Sequence, residues 1–192
     1  MPCGNLSNVV AAVMARRMGL PMGGVIGATN ANNQLRPLIA GGDDAPLKNN
    51  PIHTLAPSTD MSYPSGWPRL KYLYGGDLAT MRAEITAAAP VSDEAIASII
   101  NGLREAYSYT IDPHGAIAYA AAQAEAPASL PKVVFATGHP AKQLDIMTRI
   151  TGAAIELPVQ ITRFMAVRRH SAIIPPTLPA LRKHLQSLNP IK

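Results

Sequence analysis

The sequence predicts an α/β protein with a mostly parallel sheet and flanking helices. An amphipathic helical pattern over residues 6–18 ends at Gly19, and a short apolar run over 23–29 follows it with the composition of a buried strand. Residues 132–136 form the clearest strand pattern in the chain. Each strand pattern leads directly into a polar turn, which is typical of the crossover units that build parallel sheets.

The rest of the chain is interpreted as helices separated by one long irregular region. Residues 41–69 are rich in Gly, Asp, Asn and Pro and predict a loop region, in which the prolines of 53–68 exclude a regular element. Helical patterns follow over 70–89 with a break at the two glycines 75 and 76, after the N-cap Ser92, over 116–124, and over 178–188 within a carboxyl-terminal docking tail, 170–192.

Composition narrows the class of protein. The chain has 192 residues, of which 47% are hydrophobic and 15% charged, so a packed core is expected in one domain, 1–192. No apolar run is long enough for a membrane span, and no signal-peptide pattern is visible, so we expect a cytoplasmic protein that does not bind membranes. The net charge is +5, but the basic residues are scattered along the sequence and aromatic residues make up only 5% of it. This composition does not favour a nucleic-acid partner.

The turn formed by residues 2–8 is the first candidate site. It runs directly into the first helix, whose leading N–H groups lack partners within the helix and carry the positive end of its dipole. Gly4 lets the backbone approach an oxyanion, and Asn5, Ser7 and Asn8 add side-chain donors, so the turn is a candidate phosphate seat. The alternative is an ordinary helix N-cap, since Ser and Asn are common caps.

A second polar turn, residues 137–142, follows the predicted strand 132–136. Open parallel sheets bind ligands at the carboxyl ends of their strands, so this turn and the one around Gly4 are expected to face one site. No group of His, Cys, Asp and Glu has the spacing of metal ligands, so no metal is expected. Cys3 has no neighbouring His or acid in the sequence that would mark it as a nucleophile.

Taken together, these segments resemble the threonine synthase family. The resemblance follows the chain in order and covers nearly all of it, and the motifs are specific as a set. The segments that carry it are residues 2–8 (PCGNLSN), 16–21 (RRMGLP), 28–32 (ATNAN), 54–60 (TLAPSTD) with 64 and 67–69, 112–114 (DPH) and 136–142 (ATGHPAK).

This resemblance implies a pyridoxal-phosphate (PLP) enzyme of fold type II that converts O-phosphohomoserine and water into threonine and phosphate. The chain would be the carboxyl-terminal part of its three-layer large domain, incomplete without an amino-terminal half in cis or in trans. In the family, the Gly-Asn loop holds the cofactor phosphate, which implies a cofactor-binding role for Gly4, Asn5, Leu6, Ser7 and Asn8.

The same resemblance places the Thr137 hydroxyl beside the ring nitrogen of the cofactor. The alternative for Thr137 is a helix cap. The residues Asp60, His114, His139 and Lys142 are candidates for substrate contact or support. The histidines could instead fix loops next to prolines, and Lys142 could be a salt-bridged surface lysine.

The chain also departs from the family pattern. The segment that carries the Schiff-base lysine is absent, so the isolated chain is expected to be inactive. Ser7 stands in place of the second glycine of the phosphate loop, where a Cβ would crowd a backbone with positive φ, and Gln143 replaces an aromatic residue. The rival hypotheses are a non-catalytic relative that binds PLP or another phosphate or serves as an interaction module, and a different fold-type II enzyme such as a dehydratase.

A half-domain would leave sheet edges and helix faces uncovered, so we expect the isolated chain to be poorly soluble or to self-associate.

Overall fold

The computed structural model describes residues 1–45, 50–168 and 171–188, and their contacts group them into two units, Met1–Glu156 and Leu157–Lys192. The first unit contains the strands β1 (Val25–Gly27) and β2 (Ile85–Ala87). Its helices are α1 (Ser7–Arg17), α2 (Leu35–Gly41), α3 (Trp67–Leu73), α4 (Leu78–Glu84), α5 (Asp93–Tyr107), α6 (Pro113–Glu125) and α7 (Leu144–Thr151). Single 3₁₀ turns lie at Gly42–Asp44, Pro57–Thr59 and Pro140–Gln143. The second unit contains α8 (Val159–Met165) and α9 (Leu178–Ser187).

The sheet is small and parallel. Strands β1 and β2 pair in parallel, with Val25 opposite Ile85 and Gly27 opposite Ala87. The chain start adds an isolated parallel bridge between Pro2 and Ala28, in which the Cys3 N–H donates to the Ala28 carbonyl at 2.8 Å. The order is therefore residues 1–3, β1 and β2, and helix α1 connects the first two of these segments, as a parallel crossover requires. The predicted α/β class with a parallel sheet is confirmed.

Two apolar cores use alternate side chains of β1. Val25 belongs to a core built with α1, α2 and α3, whereas Ile26 packs against a second core built mainly from α5, α6 and α7. Successive strand residues point to opposite faces of a sheet, so helices cover both faces of this one. This layering fixes the ends of α1 and α6 relative to the carboxyl end of β1, where the polar turns lie.

Several predicted elements are confirmed. The first helix, the first strand, the helix after Ser92 and the Ala-rich helix α6 all form, and Ser92 caps α5 by accepting a hydrogen bond from the Ala95 N–H. The break at Gly75 and Gly76 is also present, because both residues have positive φ, 58° and 82°. In the second unit α9 matches the predicted tail helix, while residues 169, 170 and 189–192 lie outside the described part.

Three predictions about elements were wrong. Residues 132–136 form no strand, and the side chains of Val133 and Phe135 are exposed; a β pattern becomes a strand only when a neighbouring strand accepts its hydrogen bonds. The predicted irregular region 41–69 ends earlier, because Pro68 lies in the first turn of α3, where a proline loses no helical hydrogen bond. Residues 85–87 form β2 instead of continuing a helix, since Ile85 and Thr86 pair with β1.

Candidate functional site

A cavity of about 290 Å³ lies where the two predicted turns meet. Its wall includes every residue of the turn 2–8 and, from the second turn, Thr137, Gly138 and Lys142. The 3₁₀ turn at Ser58 and Thr59 and the amino end of α6 complete it. Its volume is close to the lower end of the range of small-molecule sites. The tertiary structure therefore brings together two turns that lie more than a hundred residues apart in the sequence.

Hydrogen bonds within the first turn and from residues 65 and 66 hold its backbone in place. The Asn8 side-chain amide donates to the Pro2 carbonyl at 2.8 Å, and the Asn5 side-chain carbonyl accepts from the Ser65 hydroxyl at 2.8 Å. The Asn5 backbone carbonyl accepts from the Gly66 N–H at 3.1 Å. The two asparagines therefore brace the turn from both sides, a role that the sequence pattern did not indicate.

The strained residue of this turn is Leu6, at φ 61°, and not Ser7. The expectation that a Cβ at Ser7 would crowd a backbone with positive φ was wrong, because Ser7 already has helical geometry as the first residue of α1. A left-handed conformation costs a leucine about 1–2 kcal/mol. Complete burial of the Leu6 side chain offsets that cost with about 1.5–3 kcal/mol.

The amino end of α1 opens into the cavity without a cap. No described side chain accepts a hydrogen bond from its first turn, and that turn contains no acidic residue. Its leading N–H groups and the positive end of the helix dipole are therefore unused by the protein at this point. For Ser7 and Asn8, the ordinary N-cap alternative is not what the structure shows.

Gly4 is required by close contact between two loops. A Cβ built on Gly4 would lie 2.6 Å from the Thr59 Cα and 2.9 Å from the Ser58 carbonyl oxygen. Both of these are backbone atoms, so a rotamer change could not relieve the clash. The turn at Ser58 and Thr59 therefore packs directly against the candidate phosphate seat.

The second turn is held by local contacts and by α6. Its His139 side chain caps the following 3₁₀ turn by accepting a hydrogen bond from the Ala141 N–H at 3.1 Å, so His139 fixes the loop. Thr137 is exposed to the cavity and caps no helix, and Lys142 lies on the same wall. Among the described carboxylates, none lies within ion-pair distance of Lys142, so its ammonium adds positive charge to the site.

His114 and Asp112 form a buried pair at the amino end of α6. Their exposed fractions are 6% and 2%, and His114 Nδ1 lies 2.8 Å from Asp112 Oδ2. Burial raises the pKa of Asp112, but hydrogen bonds from His114 and from the Gly115 N–H outweigh it and hold that pKa below its usual range. His114 Nε2 accepts a hydrogen bond from the Ser58 N–H at 3.2 Å.

Asp60 lies in a polar network that does not belong to the cavity wall. Its carboxylate accepts hydrogen bonds from the side-chain amides of Asn30 and Asn32 at 2.7 and 2.9 Å, and from the Thr54 N–H at 2.9 Å. These bonds tie the loop 54–60 to the segment after β1. Of the two roles considered for Asp60, the geometry favours support of the loop.

Seven residues of the cavity wall were not among the predicted site residues: Pro2, Cys3, Ser58, Thr59, Asp112, Gly138 and Gln143. The turn at Ser58 and Thr59 reaches the cavity through its packing against Gly4 and through the hydrogen bond from the Ser58 N–H to His114, and no local pattern encodes these contacts. Gln143 also lines it, and its side-chain oxygen is buried without a hydrogen-bond partner among the described residues. A polar residue in place of an aromatic one was the sequence signal that could have identified Gln143.

No group of three or more His, Cys, Asp or Glu side chains in the described ranges could hold a metal ion. Likewise, none of the helices described is both long and apolar enough to span a bilayer.

Comparison with known proteins gives a consistent family. No protein-family model matches the sequence. Curated threonine synthases do match: that of Serratia marcescens is 32% identical over 98% of this chain, and that of Escherichia coli is 30% identical over 95% of it. The chain spans 43% and 42% of the lengths of these two relatives, which is less than half.

Solved structures agree with the sequence matches. The crystal structure of threonine synthase from Escherichia coli superposes with a TM-score of 0.80 at 28% identity, over 97% of this chain and 42% of that one. The PLP-bound threonine synthase from Brucella melitensis gives a TM-score of 0.81 at 25% identity, over 95% of this chain and 44% of that one. The chain is therefore similar to the carboxyl-terminal part of threonine synthases.

Proposed function

We propose that this chain forms one part of a PLP-dependent threonine synthase. The whole enzyme would convert O-phosphohomoserine and water into threonine and phosphate, with the remaining part supplied in cis or in trans. The observation that carries the proposal is the convergence of the uncapped α1 end and Thr137 on a single cavity of about 290 Å³. These are the two places that the family resemblance assigns to opposite ends of the cofactor.

The described residues fit the phosphate end of the cofactor. The uncapped N–H groups at the start of α1 offer donors to an anion, and the absence of a Cβ at Gly4 lets the turn lie directly against the backbone of Ser58 and Thr59. Asn5, Leu6, Ser7 and Asn8 line the same wall. Lys142 contributes a cation to a site whose one buried carboxylate, Asp112, is already bonded to His114. This arrangement suits a phosphate group better than a neutral ligand.

Thr137 would contact the other end of the cofactor, its pyridine ring. Its hydroxyl can exchange a hydrogen bond with the ring nitrogen without placing a charge there, so the nitrogen is not held protonated as it would be by a carboxylate. Bound PLP supplies an electron sink for carbanion chemistry on amino acids. Binding, orientation and the limitation of solvent access would be the contributions of this chain, while the Schiff-base lysine would come from the part of the enzyme that the chain does not span.

Complementation tests this proposal. The chain, mixed with the amino-terminal part of a threonine synthase, PLP and O-phosphohomoserine, should release inorganic phosphate together with threonine, whereas either part alone should not. A Thr137→Val variant keeps the shape of the residue but removes its hydroxyl, and it should lower the rate of release. An Asn101→Ala variant, which alters a contact outside the cavity, should retain that rate.

The outcomes separate the candidate functions. Phosphate release that depends on Thr137 supports the threonine synthase. Saturable PLP binding by folded, mixed parts without any product would instead support a non-catalytic relative. Release of ammonia and a keto acid from threonine or serine would favour a dehydratase. Absence of any PLP binding would refute the cofactor assignment itself.

A further inference from the structure

The His114–Asp112 pair lies between the two walls of the cavity and contacts both. On one side, His114 Nε2 accepts from the Ser58 N–H at 3.2 Å. On the other side, Asp112 lies against Gly138, the residue after Thr137; a Cβ built on Gly138 would overlap Asp112 Oδ2. The pair is therefore the buried connection between the 3₁₀ turn at Ser58 and the turn that carries Thr137.

The hydrogen bonds define which ring nitrogen of His114 carries the proton. A backbone N–H can only donate, so the Ser58 N–H requires an unprotonated Nε2 on His114. The proton of the neutral ring is then on Nδ1, where it donates to Asp112 Oδ2 at 2.8 Å. The other carboxylate oxygen, Oδ1, accepts from the Gly115 N–H at 2.9 Å and thereby anchors Asp112 to the start of α6. The His114 backbone N–H also donates to Asp112 Oδ2, at 3.4 Å, so every polar side-chain atom of the pair has a defined partner.

The Ser58 end of the connection reaches the phosphate seat through packing. The backbone of Ser58 and Thr59 lies against Gly4, so any displacement of that turn changes the space behind residues 2–8. At the Gly138 end, the contact with Asp112 sets how closely Thr137 can approach α6. The two walls are thus held at one separation by the continuous series from Gly4 through Ser58, His114 and Asp112 to Gly138.

We propose that Asp112 and His114 are positioning residues, which set the distance between the phosphate seat and Thr137 so that one ligand can contact both. This inference rests on the proposed function in identifying that ligand as PLP. A helix cap would account for Asp112, whose carboxylate accepts from the first N–H groups of α6, but it would not account for the buried His114. A buried polar pair gives little net stability, so precise placement is the better explanation for both residues.

Three substitutions separate the two ends of the connection. His114→Gln keeps an acceptor near the position of Nε2 for the Ser58 N–H but loses the donor to Asp112, whereas His114→Asn keeps a donor near Nδ1 and loses the acceptor. Gly138→Ala alters only the contact of Asp112 with the second turn, because Gly138 does not have a left-handed φ. The matched control is Asn101→Ala, which removes a hydrogen bond to the Ile150 carbonyl outside the cavity.

Binding to the full chain is measured with two probes, inorganic phosphate and PLP, by the fluorescence of Trp67, the single tryptophan. Inorganic phosphate needs only the seat, whereas PLP needs both walls. His114→Gln and Gly138→Ala should weaken PLP binding about tenfold while phosphate binding stays within about twofold. His114→Asn should weaken both, because the turn behind the seat is released. The Asn101→Ala control should bind both probes as the wild type does.

A second measurement needs no ligand. Backbone order parameters from ¹⁵N relaxation should fall at Gly138 in His114→Gln and at Ser58 in His114→Asn, and stay unchanged at both amides in Asn101→Ala. Unchanged order parameters in both His114 variants would overturn the inference, as would a uniform loss that simply follows the thermal stability of each variant. If order parameters respond as expected but the wild type does not bind PLP, the inference holds and the cofactor assignment fails.

Discussion

Replacement of Gly4 by alanine tests the phosphate seat most directly. The added Cβ would lie 2.6 Å from the Thr59 Cα, where ordinary van der Waals contact begins at 3.4 Å. One of the two backbones must therefore move by about 1 Å. Gly4 does not have a left-handed φ, so the cost arises from this contact and not from the backbone dihedral. Overpacking of this kind costs about 1–3 kcal/mol.

The free-energy cost of Gly4→Ala should appear partly as a loss of folding stability and partly as a loss of affinity for PLP. If residues 2–8 move away from Ser58 and Thr59, the anion seat is distorted in the free chain, and binding must restore it against the strain. Binding of PLP would then weaken by about 5- to 150-fold, which corresponds to the same 1–3 kcal/mol. If the turn at Ser58 moves instead, the strain appears as a lower melting temperature, by about 2–4 °C for each kcal/mol.

Two measurements and one control decide the outcome. PLP binding is followed by fluorescence titration and unfolding by calorimetry, for Gly4→Ala and for Gly102→Ala. Gly102 lies exposed within α5, and a Cβ there meets no atom within 4 Å, so alanine should stabilise the chain by about 0.5–1 kcal/mol without changing affinity. Wild-type affinity together with wild-type stability in Gly4→Ala would refute the contact on which the seat depends.

Three other predictions concern single residues elsewhere in the first unit. Cys3 is buried, which raises the pKa of its thiol to about 12, so a thiol reagent at pH 8 should modify the chain only when denaturant unfolds it; rapid reaction of the native chain would contradict this. The lowered pKa of Asp112 means that its contribution to stability is complete above the ordinary carboxyl range and is lost as pH falls through the folded value. The melting temperature should therefore fall more steeply below pH 5 in the wild type than in Asp112→Asn, and parallel curves would argue against it. Ser108 ends α5 at φ 51°, so Ser108→Gly should raise the melting temperature by about 2–4 °C, whereas a decrease would show that the serine side chain matters more than its strain.

Local patterns in the sequence identified several of the helices and the candidate turns. The amphipathic spacing of α1, the N-cap Ser92 and the glycine pair 75 and 76 act within a few residues of their own positions, so their outcome does not depend on the rest of the chain. The turn 2–8 and the threonine at 137 were identified in the same way, with the help of the family resemblance. That they line a single cavity is a property of the fold, since the β1 layering and the packing of α6 bring them together.

Tertiary structure decided the features that depend on residues far away in the sequence. Residues 132–136 have a strand composition but no strand beside them in the described part of the chain, whereas the unpredicted β2 forms because β1 offers it hydrogen bonds. The positive φ fell on Leu6 because burial of that side chain outweighs the strain. The contact of Gly4 with Thr59, and the link through His114, join segments far apart in sequence. Packing energies of this kind depend on three-dimensional neighbours, which composition and periodicity do not specify.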